Sequence, residues 1–355
     1  LRAIRDSGGY FGYAAAAVPT TPAVLAHALA RYGTMELAEV LAPAIEIAEQ
    51  GFRLSSSNIA WTNAYLDEIR ASQSLRFIVL ADGASPGRPG DRLCHPELRQ
   101  TLARLAREGV ATFYEGAMAA EISADMARSG GFVRPVDLAT YRPRELQPLR
   151  SSYRGAEVLS FPFPGGGPEV VAALNILQTF ESAALAEPTL ERLQLLIESA
   201  RLAHADHAWH ILSSGTAAGF GVDYLSERHA RERAALITPG RALSESDVQE
   251  AGSTSMLGEH TTHLSVIDSR GTIVSLTQTL CNQFGAKVVT PGLGFPYNCC
   301  LAFLDFENPA SPFYLRPRGI YPTGMAPTIV RSADRVTVLG GAGSDRIPPS
   351  LVAVI

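Results

Sequence analysis

Three threonines carry the chemistry that this sequence could do. Thr261 and Thr262 open the stretch TTHLSVIDSRGTIVSLTQTL, and Thr279 stands near its end. HLSVID and TIVSLTQTL each alternate apolar and polar residues. Ser269, Arg270 and Gly271 separate them, which predicts a β-hairpin with its glycine in the left-handed position. In that register Asp268 faces Thr272, Ile267 faces Ile273, Ser265 faces Ser275, His263 faces Thr277 and Thr261 faces Thr279. Directly opposed residues have Cβ atoms about 4.5–5.5 Å apart, so two hydroxyls are expected to meet at the open end. The even face (Leu264, Val266, Val274, Leu276, Leu280) reads as a core face and the odd face as polar.

A threonine hydroxyl attacks a carbonyl only after a base has taken its proton. An N-terminal threonine can use its own α-amine, whose pKa is roughly 7.7–8.0. That requires a cut between His260 and Thr261, and the preceding GSTSMLGEH has the aperiodic look of a loop where such a cut would fall. Thr279 would then orient the nucleophile. The competing reading is a solvated, threonine-rich strand face, which β-sheets commonly carry.

Other clusters are weaker. AHADHAWH spaces His204, His207 and His210 by three residues, but the third swings away around a helix, so a metal would need ligands from elsewhere. PFPGGGPEVV matches neither phosphate-binding glycine motif and reads as a tight turn feeding a helix. Cys281, two residues after Thr279, reads as a packing residue rather than a thiol nucleophile, since no partner base is evident.

The elements that must position these residues change along the chain. PAVLAHALARYG, MELAEVLAPAIEIAEQGF, HPELRQTLARLAREG and MAAEISADMARSGG all read as helices closed by glycine, the second broken or kinked at Pro43. Further helices are expected over 187–213 and 224–235, with a strand at 155–163 between the helical stretches. From Thr262 onward HLSVID, TIVSLTQTL, KVVT, PTIVRS and DRVTVLGG read as strands. Helices followed by strands predict an α+β layered protein. The 355 residues suffice for a sizeable core. The net charge of −5, with scattered Lys and Arg, gives no footprint for nucleic acid or an anionic membrane. No apolar run approaches the roughly 20 residues of a membrane span. Cys94, Cys281, Cys299 and Cys300 lack metal-ligand spacing and lean towards a reducing compartment such as the cytoplasm. The chain starts at Leu1, so a periplasmic or secreted destination stays open.

The hairpin resembles the processing-site motif of the γ-glutamyltranspeptidase family of N-terminal-nucleophile hydrolases. RYGTMELAEVLAPAIEIAEQGF, GGFVRPVDLATYRP, YRGAEVLSFPFPGGG, MAPTIV and GGAGSDRI resemble that family collinearly along the chain. The resemblance implies a four-layer αββα sandwich, one domain made of a large-subunit region (1–260) and a small-subunit region (261–355). It also implies autoproteolysis at His260–Thr261 and acyl transfer through an acyl-enzyme without a cofactor. Carried over, Thr261 is nucleophile and base, Thr279 orients it, and Gly343 and Ser344 supply oxyanion-hole amides, Ser344 standing where the family has a second glycine.

The pocket for the acyl donor departs from the family. Cys281 stands in place of an asparagine. In YNCCLAFLDF, Asn298 survives, Cys300 replaces a polar residue and Phe303 replaces an aspartate. Asp305 takes over an amino-group contact only if the register shifts by two. Thr323 and Gly324 stand for a serine pair. The family's donor-carboxylate arginine lies in an N-terminal segment that this sequence does not show, and a C-terminal segment after Ile355 is also expected. The expected substrate is a small-molecule amide or γ-glutamyl-type compound, with poor activity on glutathione. The expected assembly is a heterodimer of processed subunits or a homo-oligomer. An unprocessed, inactive homologue with a binding or structural role remains the alternative.

Overall fold

The computed structural model describes residues 11–213, 222–248, 260–311 and 313–355. The loop expected ahead of the cut, 252–259, lies outside them. The chain divides into two compact units, Leu1–Glu145 with Leu280–Ala302 and Leu146–Thr279 with Phe303–Ile355.

In the first unit, helices α1 (Thr21–Tyr32), α2 (Leu37–Gln50), α3 (Pro96–Glu108) and α4 (Ala117–Arg128) fall where the apolar spacing predicts them. Gly51 and Gly109 follow α2 and α3 with φ of 76° and 77°, a conformation that suits glycine. Of the break or kink expected at Pro43, the break does not occur: α2 runs through it, packed along α3. This tertiary contact holds the helix although the proline forgoes one backbone hydrogen bond. Two-residue strands β1 (Phe52–Arg53) and β2 (Arg92–Leu93) pair antiparallel beside these helices.

KVVT is not a strand. Lys287 has left-handed backbone, with φ of 57°, and Val289 packs with Ile69, Leu75 and Leu80 in a small core. Burial rather than sheet pairing explains these β-branched residues. Thr290 donates to Asp125 at 2.8 Å and lies 2.7 Å from the Tyr297 hydroxyl, while Tyr13 donates to the same Asp125 carboxylate at 2.9 Å. Lys287 itself is only 3 % exposed. Its Nζ sits 3.5 Å from the Phe11 ring centroid, 4.3 Å from that of Tyr65 and 3.7 Å from Glu68. Burial lowers its pKa to about 8, against the pull of Glu68 and Cys299. The unfolded lysine, with its ordinary pKa of 10.5, therefore binds more protons than the folded one between those values. Stability should rise with pH from about 8 until tyrosine ionisation in the unfolded chain opposes it near pH 10. Chemical denaturation across this window should show the rise in the native protein and its loss in Lys287→Met.

The second unit is built on an antiparallel sheet of β3 (Leu149–Tyr153), β4 (Ala156–Ser160), β7 (Thr328–Arg331) and β8 (Val336–Leu339), ordered β3-β4-β7-β8. β3 escapes prediction because LRSSY has no clear alternation. β4 is shorter than the 155–163 expected, because Pro162 and Pro164 cannot extend a ladder. Helix α5 (Gly167–Gln178) packs on this sheet and against α6 (Leu190–Ser213) and α8 (Ile347–Val354). Nearly every residue of α5 is buried, as its all-round apolar sequence requires. The predicted 224–235 helix divides into a 3₁₀ turn, Val222–Leu225, and α7 (Glu227–Ala234), because the Ser226 hydroxyl accepts from the His229 N–H and caps a new start. Strands β5 (His260–Ile267) and β6 (Ile273–Cys281) form the hairpin.

Candidate functional site

The predicted register of the hairpin is the one that forms. Asp268 N–H donates to the Thr272 carbonyl at 3.1 Å, His263 Nδ1 lies 2.8 Å from Thr277 Oγ1, and Thr261 Oγ1 lies 3.5 Å from Thr279 Oγ1. Gly271 takes the left-handed position, with φ of 85°. The Asp268 carboxylate accepts from the Arg270 and Thr272 N–H groups, both at 2.8 Å. These bonds hold its pKa below the ordinary carboxylate range. Turn chemistry at one end thus fixes which hydroxyls meet at the other.

The expected core face is not buried near the turn, although Leu276 and Leu280 further along β6 are half-buried. Leu264, Val266 and Val274, read as core, are 41 %, 50 % and 43 % exposed. The odd face is the one that meets the end of β8: Ser275 Oγ donates to the Leu339 carbonyl at 3.1 Å, and the His263 ring lies against Gly340, leaving no room there for a side chain. Polar residues are placed inward because they engage backbone, which alternation alone does not reveal. Burial lowers the His263 pKa. Neutral at physiological pH, the imidazole bridges Thr277 Oγ1 and Ser265 Oγ, the latter at 2.9 Å. The hydroxyl ladder is therefore pinned to the glycine turn that leads to Gly343 and Ser344.

Both of those residues have positive φ, 121° and 55°. The left-handed conformation costs a serine about 1–2 kcal/mol that a glycine avoids. Gly324 packs directly on this turn: a Cβ there would stand 2.5 Å from the Ser344 carbonyl oxygen. Gly166 in turn backs onto Gly324, with room for a Cβ only 2.6 Å from the Gly324 oxygen. Gly166 N–H donates to the Met325 carbonyl at 2.9 Å, Thr323 N–H to the Pro164 carbonyl at 3.0 Å, and the Thr323 hydroxyl accepts from Met325 N–H at 3.2 Å. The PFPGGG turn is thus the support of the 323–325 segment and, through it, of Ser344. Sequence reading missed this role, although three successive glycines signal close backbone approach. Gly324→Ala should push the 343–344 turn out of place. With Gly343 and Ser344 as the oxyanion donors that the resemblance implies, turnover of an acyl anilide is expected to fall at least about tenfold, the loss of one well-placed oxyanion donor being worth about 10²–10³. A shift of the melting temperature without loss of turnover would show that this turn does no chemistry.

Cys281, Asn298 and Cys300 belong to the first unit. Cys281 has left-handed backbone, with φ of 73°, and its Sγ lies 2.9 Å from Cys300 Sγ. The Asn298 amide binds main chain: Oδ1 accepts from Ala17 N–H at 3.1 Å and Cys300 N–H at 3.0 Å, while Nδ2 donates to the Ala17 carbonyl at 3.1 Å. In this state it organises backbone. In the second unit, Phe303 ends the 3₁₀ turn Cys300–Phe303. The Asp305 carboxylate accepts from Glu307 and Asn308 N–H groups at 2.8 and 3.0 Å. Burial raises its pKa, but these bonds outweigh burial and leave it lowered. Asp305 Oδ1 thus caps its own turn.

The histidine run is engaged elsewhere. His204 Nδ1 lies 3.3 Å from Glu169, and His207 Nδ1 lies 3.0 Å from the Tyr224 hydroxyl. Asp206 is held by His229 at 2.7 Å and by a bidentate pair with Arg233. The His210 side chain lies outside what is described. Among the described residues, no three histidine, cysteine or acidic side chains converge as a metal site, and no helix is long and apolar enough to cross a membrane.

Comparison with known proteins gives the chain a family. The sequence profile of the family described as Gamma-glutamyltranspeptidase matches residues 5–355, and the chain belongs to that family. It is 34 % identical to an Acylase ACY 1 proenzyme of Pseudomonas sp., over all of this chain and 63 % of the relative. It is 29 % identical to the Glutathione hydrolase proenzyme of Escherichia coli, over 96 % of this chain and 61 % of that one. The chain thus spans less than two thirds of the length of these relatives. Among solved structures, a cephalosporin acylase from Bacillus halodurans superposes with a TM-score of 0.82 at 25 % identity, covering 99 % of this chain and 65 % of that one. The α+β fold expected from the resemblance, the αββα sandwich of the N-terminal-nucleophile hydrolases, is the one that this chain adopts.

Proposed function

We propose that this chain is an amidohydrolase or acyltransferase that cuts itself before Thr261 and then works through the exposed threonine. The observation that carries the reading is the Thr261–Thr279 hydroxyl pair, 3.5 Å apart at the open end of a register-locked hairpin. Thr261 Oγ attacks the His260 carbonyl, the acyl group moves from nitrogen to oxygen, and water hydrolyses the ester to leave a free α-amine. That amine then takes the Thr261 hydroxyl proton as Oγ attacks the substrate amide, and delivers it to the departing amine. Gly343 and Ser344 N–H groups receive the oxyanion. Water or a second amine releases the acyl group from Thr261. Both relatives cited are named as proenzymes, which supports processing.

The acyl donor is proposed to lack the α-amino group of a γ-glutamyl donor. Phe303 stands where the family resemblance implies an aspartate, and a buried ammonium without a counter-charge is costly. Two relatives carry acylase names, which supports a donor other than glutathione. The test compares γ-glutamyl-p-nitroanilide with glutaryl-p-nitroanilide, which keeps the carbon chain without the amine. We expect kcat/KM to favour the glutaryl compound by at least about tenfold, in line with unpaired polar groups in such pockets. A preference for the γ-glutamyl compound would overturn the assignment of donor class.

A further inference from the structure

Three buried thiols cluster in the first unit, and they are not equivalent. Cys299 Sγ donates to the Leu280 carbonyl at 3.3 Å, and burial pushes its pKa well up, so it stays a protonated donor. Cys281 and Cys300 instead meet sulfur to sulfur at 2.9 Å, each buried. Two backbone features hold them there. Cys281 ends β6 in left-handed conformation, which residues other than glycine seldom adopt. Cys300 begins its 3₁₀ turn with its N–H held by Asn298, itself clamped to Ala17, while Cys299 N–H donates to the Leu280 carbonyl at 3.0 Å. Leu280 and Cys299 are therefore tied together, and the backbones that carry the two thiols are held side by side.

From this geometry we infer that Cys281 and Cys300 form an oxidisable dithiol, closed to a disulfide by a peroxide and reopened by a thiol reductant. The sulfurs stand less than about 1 Å beyond the disulfide bond length of about 2.05 Å. One thiolate attacks a peroxide oxygen, the O–O bond breaks, and a sulfenic acid forms with release of water. The second sulfur attacks the sulfenic sulfur, the S–O bond breaks and a second water leaves. Two thiols thus give up two electrons and their protons, and one hydrogen peroxide becomes two waters. A dithiol such as dithiothreitol reverses the bond by two exchange steps. The effect on catalysis rests on the proposed function. Cys281 lies two residues beyond Thr279 on β6, so the bond fixes the end of the strand that orients the nucleophile, and acyl transfer slows in the oxidised form.

The test treats the reduced, purified protein with a small molar excess of hydrogen peroxide, then alkylates, digests and maps it by mass spectrometry. We expect the peptides carrying Cys281 and Cys300 to be joined, with two of the four cysteines lost to alkylation and recovered after dithiothreitol. Cys299→Ser should keep the cross-link, and Cys300→Ser should lose it and leave Cys281 singly oxidised. Separate oxidation of Cys281 and Cys300, continued alkylation of both, or a cross-link through Cys299 would overturn the inference. Anilide hydrolysis measured on the same samples keeps the two readings apart. A cross-link without slower turnover removes the catalytic consequence, and a protein inactive in both states refutes the proposed function while leaving the dithiol intact.

Discussion

On the proposed function, Thr261→Ala should leave a single band on a denaturing gel and lower amide hydrolysis by about 10⁴-fold or more, the scale on which removing a catalytic nucleophile acts. Both losses follow from one atom. In the proposed mechanism the hydroxyl that attacks the His260 carbonyl in processing is the one that attacks substrate afterwards, and alanine has no hydroxyl for either step. Position 261 is half-buried and its hydroxyl meets Thr279 across the hairpin, so the alanine variant should melt within a degree or two of the native protein. Thr261→Ser keeps an oxygen at the same place and should restore cutting, more slowly. If the alanine variant still hydrolyses the anilide substrates at native rates, the nucleophile lies elsewhere.

The second large effect is expected at Thr279. Valine there keeps the shape of threonine and removes only the hydroxyl that faces Thr261. An isolated hydroxyl has many rotamers, and the proposed attack needs one. Losing the group that selects it should lower kcat by about 10²-fold, comparable to the loss of one preorganised donor, with a smaller change in KM. The 3.5 Å separation is long for a hydrogen bond, and catalytic contacts often tighten only when substrate is engaged. Thr279→Ser is the control: a recovered rate with serine attributes the loss to the hydroxyl, whereas equal loss in both variants attributes it to packing.

How far the sequence alone leads can be judged residue by residue. The hairpin register was legible because two local signals agree: alternation on both strands, and a three-residue loop whose glycine takes positive φ. Its burial was not, because a face with His263, Ser275 and Thr277 looks solvated until β8 supplies the Leu339 carbonyl and Gly340 supplies a flat backbone. KVVT failed as a strand for a related reason, since Lys287 and Val289 are buried against the Leu66–Ala71 and Arg76–Val79 helical turns rather than by a ladder. The family resemblance brought Gly343, Ser344, Thr323 and Gly324 into consideration separately. Their mutual packing through main-chain atoms leaves no side-chain pattern to read, only the glycines that permit it. Asn298 was legible as a polar survivor, yet its hydrogen bonds to Ala17 join positions 281 residues apart, which no local pattern announces.

The central claim is that a backbone cut creates the catalytic amine, and intact-mass measurement of the native protein after prolonged incubation tests it most directly. The account predicts two species, residues 1–260 and 261–355, the second beginning with an unblocked Thr261. A single species of 37.9 kDa that nonetheless turns over amide substrates would contradict it.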